Sequence, residues 1–204
     1  MLSTPDALAP PSMVSRNGHE HRRRLLEGMA HAVALKGYAD TTIADIVREA
    51  GVSRRTFYEH FRSRPECLIA LYEAASHNAL KVLEDAIDPR TDWEAQLEAA
   101  IRAFLAHLAQ NPVLLRTLFL EMPGLGEAGL AARRRVHQDM ARFIMSVINP
   151  RHEARLLDAD MAVAAVGGIN EWILQSIERS ETAQLADLAP RSAELIRSLA
   201  RTRV

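Results

Sequence analysis

Apolar residues recur at helical spacing along most of the chain, and the breaks between runs are sharp. Leu25, Leu26, Met29 and Val33 share one face of a helix expected from about His21 to Lys36. Gly37 ends that helix as a C-terminal cap, and Tyr38 and Ala39 fill a short link. Thr42 opens a second helix: its hydroxyl can accept a backbone N–H, and Asp45, three residues on, completes a box-like start. Ile43, Ile46, Val47 and Ala50 then fall on one apolar face. Gly51 gives the backbone freedom for a tight turn, Val52 plugs the corner, and Ser53 caps a third helix. That helix is short, from about Arg54 to Phe61, with Phe57 and Phe61 facing inward. Ser63-Arg64-Pro65-Glu66 is another start signal, with a cap, a first-turn proline and a glutamate at the capping-box position. A long fourth helix follows to about Ile87, with Leu68, Leu71, Tyr72, Ala75, Leu80 and Leu83 available for packing, until Asp88-Pro89-Arg90 breaks it.

Beyond Thr91 the pattern predicts amphipathic helices near Asp92–Gln110, Pro112–Met122, Gly126–Ile148, Asp160–Ser180 and Pro190–Arg201. The breaks fall at Asn111-Pro112, Pro123-Gly124 and Asn149-Pro150. Met1 to about Gly18, with three prolines and no apolar period, is expected to be a disordered tail. The fold class is therefore all-α, with about nine helices. Residues 19–79 are expected to form one helical domain, with a helix-turn-helix pattern at 42–61, and residues 80–204 a C-terminal helical domain.

Composition agrees. The chain is 48% hydrophobic but only 5% aromatic, so its core must be aliphatic, and Ala and Leu favour helix. Cys67 is the only cysteine, which excludes an intrachain disulfide and a cysteine zinc framework. No cofactor or metal is expected, nor any catalytic residue. There is no apolar run fit for a signal peptide or a membrane span, so the expected setting is cytoplasmic, with no membrane partner.

The net charge of −1 hides an uneven distribution. Residues 1–64 hold 10 Lys/Arg against 7 Asp/Glu, and the remainder is acidic, so only the first part suits a polyanion. In a helix-turn-helix the second helix presents its N-terminal residues to the major groove, which here are Arg54, Arg55 and Thr56. Arginine can donate two hydrogen bonds to guanine, and threonine can reach a phosphate or a thymine methyl. Tyr58 and His60 can donate to phosphates from the same helix. Thr42 and Arg64, opening the second and fourth helices, add N–H groups and charge that favour anions. Taken singly, these arginines fit ordinary surface cations, Tyr58 a half-buried aromatic and His60 a packing histidine. As one ordered block between two signalled helices they read as a DNA-binding surface. The segment His19–Arg24 reads equally as a solvated helix start or as a basic arm on DNA.

The block Thr41-Thr42-Ile43-Ala44-Asp45-Ile46-Val47, Ala50-Gly51-Val52-Ser53 and Thr56-Phe57-Tyr58-Glu59-His60-Phe61 closely resembles the N-terminal motif of the tetracycline-repressor (TetR) family of bacterial regulators. The likeness covers roughly residues 19–79. It implies phosphate contacts from Thr56, Tyr58, His60 and Arg64, and leaves base reading to Arg54 and Arg55. Many members have Gly or Pro where Arg55 stands.

The length and helix count of the C-terminal part resemble the family's ligand-binding and dimerisation domain. The resemblance implies a homodimer pairing its last two long helices. The small-residue segment from Met161 to Leu174 suits close helix approach, with Val163, Val166, Gly167, Asn170, Ile196 and Leu199 as expected interface residues; a buried core helix is the plainer reading. Phe104, His107, Leu108, Leu118, Phe119, Met122, Met140, Phe143 and Met145 are candidates to line a pocket for a small apolar or amphiphilic effector, although each fits plain core. The leading expectation is a ligand-responsive homodimeric repressor on a palindromic operator, with an activator as the alternative. A helical enzyme finds no paired carboxylates, glycine-rich loop or usable metal spacing. A helical interaction module that binds an acidic protein is separable by DNA titration across salt.

Overall fold

The computed structural model describes residues 13–149 and 156–201. Among these residues the fold is all-helical, with nine α-helices and no strand. They are α1 (Met13–Asp40), α2 (Ile43–Ala50), α3 (Arg54–His60), α4 (Arg64–Asp85), α5 (Trp93–Ala109), α6 (Pro112–Glu121), α7 (Gly126–Ile148), α8 (Ala159–Glu178) and α9 (Ala189–Arg201). The chain divides into two compact units, Met1–Leu68 and Ile69–Val204.

In the first unit, α1 is longer than its apolar period suggests. It begins at Met13 rather than near His21, because after Pro11 nothing in the sequence interrupts a helix. Residues 13–18 are therefore helical, and the rest of the expected tail lies outside the described residues. Gly37 breaks the helix at φ 77° and ψ 165°. Leu25, Met29, Ala32 and Val33 on α1, Ile46 and Val47 on α2, and Phe57 and Phe61 form the buried core. At the α1–α2 crossing Gly28 lies against backbone: a Cβ there would stand 2.6 Å from the Ile46 carbonyl oxygen and 2.8 Å from the Ala50 nitrogen. Nothing in the periodicity of the chain marks that contact.

The second unit is built on one aliphatic core that runs from Ala79 and Leu83 through α5, α7 and α8 to Ile196 and Ala200 on α9. Asp92, Asn111 and Asp158 accept the N–H groups of Ala95, Leu114 and Met161, so the starts of α5, α6 and α8 carry side-chain caps. The Pro123-Gly124 break is a 3-10 turn, Met122–Leu125. A second 3-10 segment, Thr182–Leu188, fills what the pattern leaves as a link and buries Leu185 and Leu188. No helix among the described residues is long and apolar enough to cross a membrane.

Candidate nucleic-acid interface

The α2–turn–α3 unit forms as its local chemistry dictates. The Thr42 hydroxyl accepts the Asp45 N–H at 3.2 Å, and the Asp45 carboxylate accepts the Thr42 N–H at 2.9 Å, which is a complete capping box. Gly51 sits at φ 60° and ψ 40°, in the left-handed region the turn requires. Ser53 caps α3 by accepting the Thr56 N–H at 3.0 Å. Phe57 is fully buried beneath α3 and fixes which residues that helix turns outward.

The outward residues are those the sequence singles out. Tyr58 is 53% exposed. Arg54 is exposed and has no ion pair among the described residues. Arg55 is exposed but pairs with Glu59 at 3.1 Å, one turn along the same helix. The Thr56 hydroxyl lies 2.9 Å from that of Ser53. His60 is partly buried with its ring 6.4 Å from that of His21. Burial, and then the charges of His21 and Arg22, push its imidazole below the usual value. The Thr42 hydroxyl donates to Asp45 at 2.6 Å, so its proton is committed inside the unit.

Asp45 anchors the start of α2. Lys36 reaches it at 2.8 Å and Arg48 at 3.0 Å. The Lys36 contact and the hydrogen bonds from Thr42 hold its carboxyl well below the usual carboxylate range.

Two expectations change. Arg64 is not turned to solvent as a plain phosphate ligand. Its Nη1 donates to the carbonyls of Tyr38 at 3.0 Å, Ala39 at 3.1 Å and Thr41, and its guanidinium carbon lies 4.3 Å from the centre of the Tyr38 ring. The three carbonyls lie at the broken end of α1, and that of Tyr38 also accepts the Thr41 N–H at 3.2 Å. The basic segment His19–Arg24 is part of a helix that packs on the unit. Arg24 donates to the Gly51 carbonyl at 2.8 Å, Arg22 lies over the Phe61 ring, and Arg23 is shared between Glu20 and Glu27. The clasp of Arg24 on the turn could not be read from spacing, since the partners are 27 residues apart.

In the second unit the expected pocket residues divide. Leu118, Met122, Met140 and Phe143 are buried, while Phe104, His107, Leu108, Phe119 and Met145 are partly buried. Of all these only Phe143 borders a groove of about 700 Å³ whose walls are Leu80, Glu84 and Ile87 with Asp139, Arg142, Phe143 and Val147. The others, His107, Leu118 and Met122 excepted, belong to or pack on the unit's core. Among the expected interface residues, Ile196 and Val166 are corrected: at 0% and 5% exposure they face the core of their own chain. Val163 is 36% exposed, and Gly167, Asn170 and Leu199 are partly exposed. Asn170 Nδ2 lies 3.2 Å from His137 Nε2, and burial, followed by the charge of Arg133, brings the His137 imidazole down to about 4. Among the described residues no group of three or more His, Cys, Asp or Glu could hold a metal ion.

Comparison with known proteins agrees with this geometry. Residues 25–71 match the family described as bacterial regulatory proteins, tetR family. The chain is 24% identical over 160 residues to the HTH-type transcriptional activator FasR of Mycolicibacterium smegmatis, covering 76% of this chain and 73% of FasR. It is 29% identical over 128 residues to the HTH-type transcriptional regulator SrpR of Pseudomonas putida, covering 63% and 58%. The fold is similar to that of the transcriptional regulator FadR from Bacillus subtilis, solved in complex with stearoyl-CoA, with a TM-score of 0.68 at 18% identity over 85% of this chain and 96% of that one. With a capped α2, a left-handed glycine turn and an α3 that buries Phe57 while exposing Arg54 and Tyr58, residues 25–71 form a DNA-binding domain of the tetR family, and the chain is a transcriptional regulator of that type.

Proposed function

We propose that this regulator is a ligand-responsive homodimeric repressor that binds a palindromic operator and leaves it when a small amphiphilic effector occupies the second unit. The observation that carries the reading is the two-sided α3, with Phe57 fully buried and Tyr58 half exposed. Arg54 reads bases, with Arg55 adding to it once released from Glu59. Thr56, Tyr58 and His60 hold phosphates.

One such unit reads few base pairs. Two-fold pairing sets two recognition helices about 34 Å apart on one face of the duplex. Exposed Met161 and Val163 on α8 support a second copy there. So does Gly167, where a Cβ would meet nothing within 4 Å and a partner helix could approach closely. The groove at Leu80, Ile87, Phe143 and Val147 offers an apolar floor with Glu84 and Arg142 at its rim, which suits an amphiphile. Stearoyl-CoA in FadR is a ligand of that kind. The effector acts only if it binds one spacing of the two reading heads better than the other.

Selection of double-stranded sequences by the full-length protein tests the reading. Recovery of a two-fold symmetric site, bound by one dimer and released by an acyl-CoA or similar amphiphile, is the expected result. Selection that recovers no common sequence refutes it. Because FasR carries the name of an activator, a reporter driven from the recovered site decides the sign: loss of transcription when the protein is removed would establish activation.

A further inference from the structure

Arg64 opens α4, and the family resemblance assigns it to a DNA phosphate. Its surroundings are those of an internal clasp. Gly37 breaks helical geometry at the start of the link to Thr42, and of the carbonyls in that link Tyr38's accepts the Thr41 N–H at 3.2 Å and Thr42's the Ile46 N–H at 3.1 Å. Three of them, on Tyr38, Ala39 and Thr41, converge on Nη1 of Arg64, while the Tyr38 ring covers one face of the guanidinium at 4.3 Å. Thr41 is fully buried, and its hydroxyl donates to the Gly37 carbonyl at 2.7 Å. The next residue, Thr42, is the cap from which α2 starts. On the other side Lys36 of α1 holds Asp45. The start of α2 is thus gripped from α1 through Lys36 and from the first turn of α4 through Arg64.

We propose that Arg64 is a positioning residue: it fixes the α1–α2 link to the first turn of α4, so that α2 and the turn after it meet DNA in a set register. Its planar fork and flat face are what the site uses, which a lysine ammonium cannot reproduce. The proposal rests on DNA binding by this unit, and the experiment keeps the two apart by including a measurement made without DNA.

Arg64→Met keeps the stem and removes the charge; Arg64→Lys keeps the charge and removes the fork. Each full-length variant is titrated with the selected operator between 50 and 200 mM salt. Amide exchange of Thr41 and Thr42 is measured in the free protein. Both variants are expected to bind roughly tenfold more weakly, the size of one charge-assisted hydrogen bond. The salt slope should be that of the wild type, and the link amides should exchange faster while Phe57 is unchanged. A direct phosphate contact would instead leave R64K near wild-type affinity. It would also flatten the R64M slope by about 0.9 per chain, because one fewer counter-ion is released, with exchange unaltered. That outcome, or unchanged affinity in both variants, overturns the proposal. Should R64M fail to fold, R64K alone decides, since the two readings give it opposite results. Wild-type protein that shows no sequence preference would refute the DNA reading and leave the exchange result standing by itself.

Discussion

Gly28→Ala sets two effects of known size against each other. In a helix interior alanine is favoured over glycine by about 1 kcal/mol, so at an open position the substitution stabilises. At Gly28 the new Cβ would stand 2.6 Å from the Ile46 carbonyl oxygen, 2.8 Å from the Ala50 nitrogen and 2.9 Å from the Ala50 Cβ. The first two contacts are backbone, so no side chain can turn away. Ordinary contact requires α1 and α2 to part by about 0.8 Å, and forced repacking of this kind costs ~1–3 kcal/mol. Rigid neighbours place the cost near the top of that range. The net expectation is a loss of about 2 kcal/mol in the first unit, or roughly a 30-fold rise in amide exchange at Ile46 and Val47 where exchange reports opening of the unit. Gly18→Ala is the control: it lies on the same helix, and its Cβ would meet nothing within 4 Å, so exchange should be unchanged or slower. Operator affinity should fall in the first variant only. Protection in Gly28→Ala equal to the wild type would show that the two helices can part freely, and would refute the close-packed crossing.

Three further outcomes are expected at named residues. Arg54→Ala should cost ~1–3 kcal/mol on the selected operator and broaden base preference at one position of each half-site, as read by selection repeated with the variant; an unchanged preference would remove Arg54 from base reading. His60 is held below its usual value in the free protein, and a phosphate beside it would raise it. Protons are then taken up on binding, so operator affinity should rise as pH falls through about 6.5, and His60→Gln should abolish that part of the slope. His137 is brought down to about 4, below its unfolded value near 6.5, so the unfolded chain binds more protons between these limits. The second unit should therefore lose stability as pH falls from about 6.5 toward 4, and His137→Gln should melt with a flatter pH profile.

Much of the first unit is legible in the sequence because it is local. Thr42 with Asp45, Gly51, and Ser53 with Thr56 are interactions among near neighbours, and their spacing states them. The five helices after Thr91 are legible for the same reason, since proline, asparagine and glycine mark most of their ends. Glu66 shows where local reading slips: its carboxylate takes the Arg62 N–H at 2.7 Å instead of closing the box on Ser63. Contacts between segments remote in sequence are of another kind. Arg24 on Gly51, Arg64 on the link and the Gly28 crossing depend on how α1 lies across the unit. Periodicity marks the apolar face of that helix but not its angle. Ile196 and Val166 fail likewise, because an apolar residue on a helix exposed to two possible neighbours carries no sign of which one covers it.

The basic surplus of residues 1–64 suggests a polyanion partner, and the structure changes what that surplus does. Arg23, Lys36, Arg48 and Arg55 each meet a carboxylate of the same unit, Arg24 and Arg64 hold backbone carbonyls, and Arg22 covers Phe61. Among the described residues Arg54 and Arg62 have no such partner. The exposed pairs of Arg23 and Arg55 are weakened by solvent and exchange readily for a phosphate. Arg24 and Arg64 are tied instead to backbone carbonyls of the turn and the link. On the proposed function, cations in this unit therefore divide into those that build the reading surface and those left to meet DNA. On the same proposal, hydroxyls and backbone N–H groups share the phosphate contact with these cations. Such groups would act through fixed geometry rather than counter-ion release, and that geometry is what the arginines that hold the shape of the unit would supply.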